Sequence, residues 1–426
     1  VAQQLTTRWR WLFRQVARQL WLTAVIYALA AIASVFIAAF LGPYIPASAT
    51  EFIKPKAVGD ILSILASSML AVTTFSLATM VSAHGSVTSN TSPRATALVI
   101  DNEVTRHALG AFIGSFLFSL VGIVALSAGA YGERGHVVLF AVMILVIVLI
   151  VVALLRWIDH LSQLARVSET SERVENSALD ALVKRAHYPG LGGRACRDIA
   201  QRIPADASTI AAQQVGYVQH IDMAALIELS RRHKLEFFVV AEPGAFVGLG
   251  RPLLRVAGDW PEDFDSQCLC DAFSIGQERT FDYDPRYGLI VLAEIASRAL
   301  SPGINDPGTA IDIIGRVTRV LSIWATTKQL DNGEEAADGA KVWFPRLDAN
   351  DLLEDVFSAI ARDGSGTLSI QIRLQKSLAA LAALEHAELE RAARLQSQRA
   401  WERARDVLEM PFEREALEQV VLQAGD

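Results

Sequence analysis

The run from Arg279 to Arg316, RTFDYDPRYGLIVLAEIASRALSPGINDPGTAIDIIGR, holds the densest set of side chains able to do chemistry. Asp282, Asp284, Glu294, Asp306 and Asp312 could supply oxygen ligands to a hard cation such as Mg²⁺ or Ca²⁺. The same residues also fit a structural role. Asp284-Pro285 and Asp306-Pro307 repeat one device, a capping aspartate with proline at the first helical position. They predict helices over Pro285–Leu300 and Pro307–Thr326, separated by Ser301-Pro-Gly-Ile-Asn. The first of these presents Leu289, Leu292, Ala293, Ala296 and Leu300 on one face, so a helical hairpin with a buried seam is expected. Arg286 and Asn305 complete the polar cluster, and whether it holds a metal stays open.

A second group of polar side chains lies in a different setting. Between Ile61 and Ala83 the chain carries eight hydroxyls: Ser63, Ser67, Ser68, Thr73, Thr74, Ser76, Thr79 and Ser82. At 100° per residue, Ser63, Ser67 and Thr74 fall within about 40° of one another, while Thr73, Ser76 and Thr79 spread elsewhere. Burial inside a helical bundle accounts for such a distribution, and the alternative is a helix lining a pore in an oligomer. The next apolar segment has Gly110, Gly114 and Gly122, a spacing of small residues that lets helix backbones approach closely.

Catalytic patterns are missing. The chain has no Gly-x-Ser-x-Gly, no Gly-rich loop leading to Lys-Ser/Thr, no His-Glu-x-x-His and no Gly-x-Gly-x-x-Gly. No cofactor is implied. Cys196, Cys268 and Cys270 are too few for a tetrahedral metal site and suit a reducing compartment. His84, His107 and His160 are read as interfacial anchors, with a pH or metal site as the alternative.

These groups are positioned by a chain of two halves. Gln19–Thr50, Ile61–Pro93, His107–Gly132 and Gly135–Leu155 are free of Asp, Glu, Lys and Arg, and nothing like them follows. A helix rising about 1.5 Å per residue needs about 20 apolar residues to cross about 30 Å of hydrocarbon. Four transmembrane helices are expected, over about 20–41, 61–83, 108–129 and 137–155, in a membrane domain of residues 19–160. Leu20–Leu41 is too long for the apolar core of a signal peptide, so the first span is read as a retained anchor. A basic segment, 1–18, precedes it.

Orientation follows from the arginines. One side has Arg8, Arg10, Arg14, Arg18, Arg94, Arg106, Arg156, Arg166 and Arg173, against Lys54, Lys56 and Arg134 on the other. That bias places both termini in the cytoplasm. Residues 1–160 carry ten Lys/Arg and six Asp/Glu, net +4; the rest carry 29 and 40, net −11, which together give −7. An acidic C-terminal domain has no electrostatic reason to hold nucleic acid. No charge lies inside a span, which disfavours coupled transport but leaves a passive conduit open.

Beyond residue 160 the expected class is a mixed α+β cytosolic domain. A helical stalk over 161–189, with a break near Ser168–Ser171, leads to Tyr188-Pro-Gly-Leu-Gly-Gly193 and a domain of 190–426. Glu236–Ala241, Ala245–Val247 and Pro252–Val256 read as strands of a small barrel-like module, preceded by a helix over Asp222–His233. A linker near Asn332–Gly339 leads to a helix over Ala349–Ala361, and Leu368–Glu409 reads as one long amphipathic helix. Between the second and third spans, Ser92-Pro93 reads as the start of a surface helix over Arg94–Arg106.

Several of these runs are familiar. FSLATMVSAHGSVTSNTSPRATALVIDN, GAFIGSFLFSL, PGAFVGLGRPLLRV and RTFDYDPRYGLIVLAEIASRALSPGINDPGTA resemble the bacterial predicted membrane proteins grouped as domain of unknown function 2254. The likeness covers about residues 10 to 400. It implies an inner-membrane protein with four N-terminal spans and brings no activity, substrate or cofactor to any residue. His84-Gly85-Ser86 departs from the small or hydroxyl residues expected there. The functional expectation is a homo-oligomeric passive channel in membrane lipid, with a cytosolic regulatory domain. The alternative is a membrane-anchored sensor or scaffold whose acidic domain binds a protein or small molecule; a membrane enzyme using Asp282–Asp312 would need a divalent metal.

Overall fold

A computed structural model of the chain describes residues 25–29, 32–33, 37, 55–95, 98, 103–129, 135–164, 167–260, 264–328 and 340–421. Contacts divide the chain into two units. A helical unit takes Phe13–Ser89 and Ala95–Thr170, and a C-terminal unit takes Ser171 onward together with Asn90–Arg94.

Three helices dominate the helical unit: α1 (Pro55–Asn90), α2 (Glu103–Ser127) and α3 (Gly135–Leu164). Each contains a segment long and apolar enough to cross a membrane, Lys56–Ser82, Val104–Ser127 and Gly135–Asp159. The expected first span, about 20–41, lies outside the described residues except for 25–29, 32–33 and 37. Two apolar layers hold the helices together. Val58 and Leu62 meet Phe118, Leu139 and Met143 in one; Met69 meets Ala108, Phe112, Ile150 and Trp157 in the other. In a bilayer, lipid removes most of the hydrophobic drive between helices, so close packing of this kind carries the association.

The C-terminal unit is mixed α/β. After α4 (Val167–His187) comes β1 (Arg194–Cys196), then a short α5 (Ile199–Arg202), β2 (Ser208–Ala211), β3 (Gly216–Ile221) and α6 (Met223–His233). Then follow β4 (Glu236–Val239), β5 (Phe246–Val247), β6 (Pro252–Ala257), α7 (Gln267–Asp271) and β7 (Phe273–Gly276). The rest is α8 (Tyr287–Ala299), α9 (Pro307–Thr326), β8 (Lys341–Pro345), α10 (Ala349–Asp363), α11 (Leu368–Ala382), α12 (Ala387–Val407) and α13 (Pro411–Glu418). One sheet runs β1-β8-β4-β6-β2, and a second runs β5-β3-β7. β8 lies parallel to both β1 and β4, and the remaining pairs are antiparallel.

Three differences from the sequence reading have physical causes. The expected small barrel is split, because β4 and β6 pair with each other while β5 crosses to β3. The helix expected over Leu368–Glu409 is two, because Ala383–His386 turns the chain and His386 Nδ1 accepts the Leu389 N–H at 3.2 Å as a new N-cap. Their apolar faces then bury Leu374, Leu378, Leu381 and Leu389 within the unit. Third, α8 is buried on nearly every side rather than along one seam: Tyr287, Leu289, Val291, Leu292, Ile295 and Ala296 are all covered.

In the stretch expected as a stalk, the break expected near Ser168–Ser171 is not there, because α4 runs unbroken through those residues. α3 continues to Leu164, residues 165 and 166 lie outside the described residues, and α4 buries Val174, Ala178, Ala181 and Leu182. Of the expected surface helix over Arg94–Arg106, several residues lie outside the described set. Ser92 Oγ does accept the Arg94 N–H at 3.2 Å, as a capping serine would.

Candidate functional site

Two regions hold the candidate residues, one in each unit. On α1, Val58, Leu62, Met69 and Ser76 are buried. At 100° per residue they share one face within about 40°. Ser63, Ser67 and Thr74 fall on the opposite face and are exposed, as is Ser82; Thr79 is half-buried. Ser67, Thr73, Thr74 and Thr79 bond their own helix. Ser67 Oγ donates to the Ser63 carbonyl at 3.1 Å, Thr74 Oγ1 to Leu70 at 3.0 Å and Thr79 Oγ1 to Phe75 at 3.1 Å. Such back-bonding satisfies the hydroxyl proton and leaves the oxygen able to accept from water or a neighbouring helix.

The glycines of α2 face protein. A Cβ built on Gly122 would stand 3.1 Å from Leu62 of α1 and 3.8 Å from Leu139 of α3. On Gly114 it would stand 3.0 Å from Tyr27 Cβ. Gly110 is buried too. These are the close approaches that small residues permit. Tyr27 Oη and His107 Nδ1 are hydrogen-bonded at 3.2 Å. The side chains of His84 and His160 lie outside the described residues.

In the C-terminal unit the site is built around the entry to α8. Asp284 is buried. Its Oδ1 accepts the N–H groups of Arg286 and Tyr287, each at 3.1 Å, and its Oδ2 accepts Arg279 Nε at 2.6 Å. The helix therefore starts at Tyr287, two residues beyond the expected Pro285, with Arg286 in the cap position and making no side-chain cap. Burial pushes the Asp284 carboxyl above its usual range, against the pull of Arg279. Gly244 makes room for it. That glycine has φ of +94°, and a Cβ there would fall 2.6 Å from Asp284 Cγ.

Charge continues outward on both sides. Arg286 forks onto Asp355, Nε to Oδ2 at 2.6 Å and Nη2 to Oδ1 at 2.9 Å, and its Nη1 reaches Asp351 at 2.5 Å. Hydrogen bonding to Asp355 holds its pKa above the ordinary guanidinium value. Glu242 lies just before Pro243-Gly244 and accepts Arg185 Nη2 at 2.9 Å. Burial raises the Glu242 carboxyl, which Arg185 and then Arg286 oppose. Arg185 itself is buried over the Phe344 ring, 4.2 Å from its centroid, and burial pulls its pKa down to about 10. Separate ion pairs thus tie α4 to the turn after β4, Arg279 to Asp284, and the start of α8 to α10.

The other expected residues do not converge here. Glu294 accepts the Ser92 hydroxyl and the Arg94 guanidinium. Asn305 turns the loop with φ of +50°. Asp306 caps α9, accepting the Thr309 N–H at 3.1 Å and the Thr309 hydroxyl at 2.6 Å. Asp312 accepts Arg316 Nε at 2.7 Å, and Arg316 also donates to buried Glu175 at 2.7 Å. Asp282 is exposed. Among the described residues no group of three or more His, Cys, Asp or Glu is placed to hold a metal ion. Glu175, Glu242, Asp284, Asp351 and Asp355 are each paired with an arginine. Sequence reasoning missed Arg185, Glu242, Arg279, Asp351 and Asp355; one available signal was the lone Glu242 between an apolar strand and Pro243-Gly244.

Comparison with known proteins agrees with the apolar helices. An uncharacterised protein of Mycobacterium bovis is 32% identical over 186 residues, 42% of this chain and 36% of the relative. An uncharacterised protein of Mycobacterium tuberculosis gives the same figures, 32% over 186 residues, 42% and 36%. The matched region thus spans little over a third of the length of these curated relatives. No solved structure matches the chain. The model of the predicted membrane protein family DUF2254 matches residues 17–380, and the chain belongs to that family.

Proposed function

We propose that the chain is a homo-oligomeric passive conduit of the bacterial inner membrane, with the C-terminal unit as its cytosolic regulatory domain. The observation that carries this reading is a difference between two exposed helical faces. α3 leaves Leu145, Val148, Leu149, Val152, Leu155 and Ile158 exposed, a wholly aliphatic face suited to lipid tails. α1 leaves Ser63, Ser67 and Thr74 exposed, beside Leu70 and Val81, on the side turned away from its buried contacts. Hydroxyls at that position suit a second copy of the chain, or water enclosed between copies.

The topology belongs to the same proposal: four spans, with a first at about 20–41, and both termini cytoplasmic. Residues 90–94 and those from 171 onward share one compact unit, and two of the candidate spans separate them in sequence. An even number of crossings returns the chain to one side, and the arginine excess marks that side as cytoplasmic.

Purified full-length chain in liposomes tests the reading. Several copies per particle and ion flux are expected, with cysteines placed at Ser67 or Thr74 reacting with a water-soluble thiol reagent and one at Val148 protected. Single copies together with no flux would remove it. A second reading, a membrane-anchored scaffold that binds a protein, draws on exposed Val215, Phe246 and Leu249 in the C-terminal unit. Phe246→Asp with Leu249→Asp would then abolish partner binding and leave any flux unchanged.

A further inference from the structure

Glu294 is the one carboxylate on α8, a helix otherwise covered on nearly every side. Its side chain is 28% exposed. A carboxylate so placed needs charge-assisted partners. It takes both from a five-residue stretch two hundred positions earlier in the chain. The Ser92 hydroxyl donates to Glu294 Oε2 at 2.7 Å, and the Arg94 guanidinium pairs with Oε1. Thr91 and Ser92 are only 1% and 2% exposed. A connection between two membrane helices would ordinarily run over the surface in water; Asn90–Arg94 is instead part of the C-terminal unit.

α8 is also fixed at its other contacts. A Cβ on Gly288 would stand 2.5 Å from Ala178 Cβ, so α8 lies directly against α4. Arg286 ties its start to Asp351 and Asp355 of α10. Movement of α8 is therefore movement of α4, α10 and the segment that Glu294 holds.

We infer that Glu294 is a latch by which the C-terminal unit grips the α1–α2 connection and passes displacement of α8 to the end of α1. Ser92 and Arg94 are its two catches. The holding function stands on the contacts above; only its last consequence, control of flux, rests on the conduit reading.

The test is a charge swap in the full-length chain, read by hydrogen exchange over residues 86–95 in detergent. Glu294→Arg and Arg94→Glu should each speed exchange there by about tenfold, the factor expected on losing one charge-assisted contact. The double variant should recover most of the protection, and Glu294→Gln, which keeps the shape, should fall between. Peptides from α9 should stay unchanged, which separates release of the latch from unfolding. Single variants that exchange like the wild type, or a double variant no better than either single, would overturn the latch. Flux from liposomes is the second arm. A change in each single variant that the double reverses supports transmission to α1; faster exchange with unchanged flux overturns it. Wild-type liposomes that pass no ions sink the conduit instead, and the exchange result alone then decides the latch.

Discussion

Asp306 and Asp284 each precede a proline at the start of neighbouring helices, yet solvent surrounds the first and protein the second. Asp306 does its work locally. Its carboxylate needs only Thr309, three residues on, and hydrogen bonds from Thr309 hold its pKa below the ordinary value. Asp284 also binds two following N–H groups, but burial then demands a counter-charge from Arg279 and space from Gly244. One dipeptide thus serves as a simple cap in one place and as the keystone of a buried polar cluster in the other. Capping chemistry is set by the next turn of the chain, whereas burial is set by what the rest of the fold brings up against it.

The contrast breaks most sharply at Asp284. Asp284→Ala would strand Arg279 and two N–H groups, at a cost of about 3–5 kcal/mol. Gly244→Ala would put a methyl group into the same carboxylate from a positive-φ position and should be comparably severe. Thermal melts of the full-length chain in detergent measure both, and a melting point within a degree of wild type would show that Asp284 is no keystone. Arg286→Ala comes next. Removing its fork onto Asp355 and its bond to Asp351 should cost about 2 kcal/mol, and Arg286→Lys should recover only part, because an ammonium lacks the planar fork that grips both oxygens of Asp355. Asp306→Ala should cost about 1 kcal/mol, a fall of about 2–4 °C in melting point. Equal losses at Asp306 and Asp284 would erase the comparison.

Some of this was readable in the residues and some was not. α9 follows its sequence closely, because Asp306-Pro307 sets its start by contacts within one turn. So does α6, where Asp222 accepts the Ala225 N–H at 3.0 Å. Three apolar helices follow from composition alone. The partners of Asp284 and Glu294 could not be read the same way. Arg279 is five residues from Asp284, but Gly244 is forty away and Ser92 lies 202 positions from Glu294. Nothing in local spacing encodes such meetings. β8 was missed for a related reason: Lys341–Pro345 is short, and it becomes a strand by lying between β1 and β4, which flank it in space but not in sequence.

The smallest effect, and the one that sharpens the contrast furthest, is its dependence on pH. Asp306 has a folded pKa below its ordinary 3.8, so its stabilisation is present above that value and is lost as pH falls through the lowered one. Asp284 is displaced the other way. Its folded pKa lies above 3.8, so the stabilisation it brings by titration is complete below that value and is lost as pH rises through the raised one. Full-length wild type, Asp306→Asn and Asp284→Asn should be melted in detergent from pH 7 to pH 3, followed by tryptophan fluorescence. The advantage of wild type over Asp306→Asn should shrink as the solution is acidified, by under about 1 kcal/mol in all. Its advantage over Asp284→Asn should grow along the same descent. Two differences moving in the same direction would mean that the two aspartates share one environment, whatever their places in the fold.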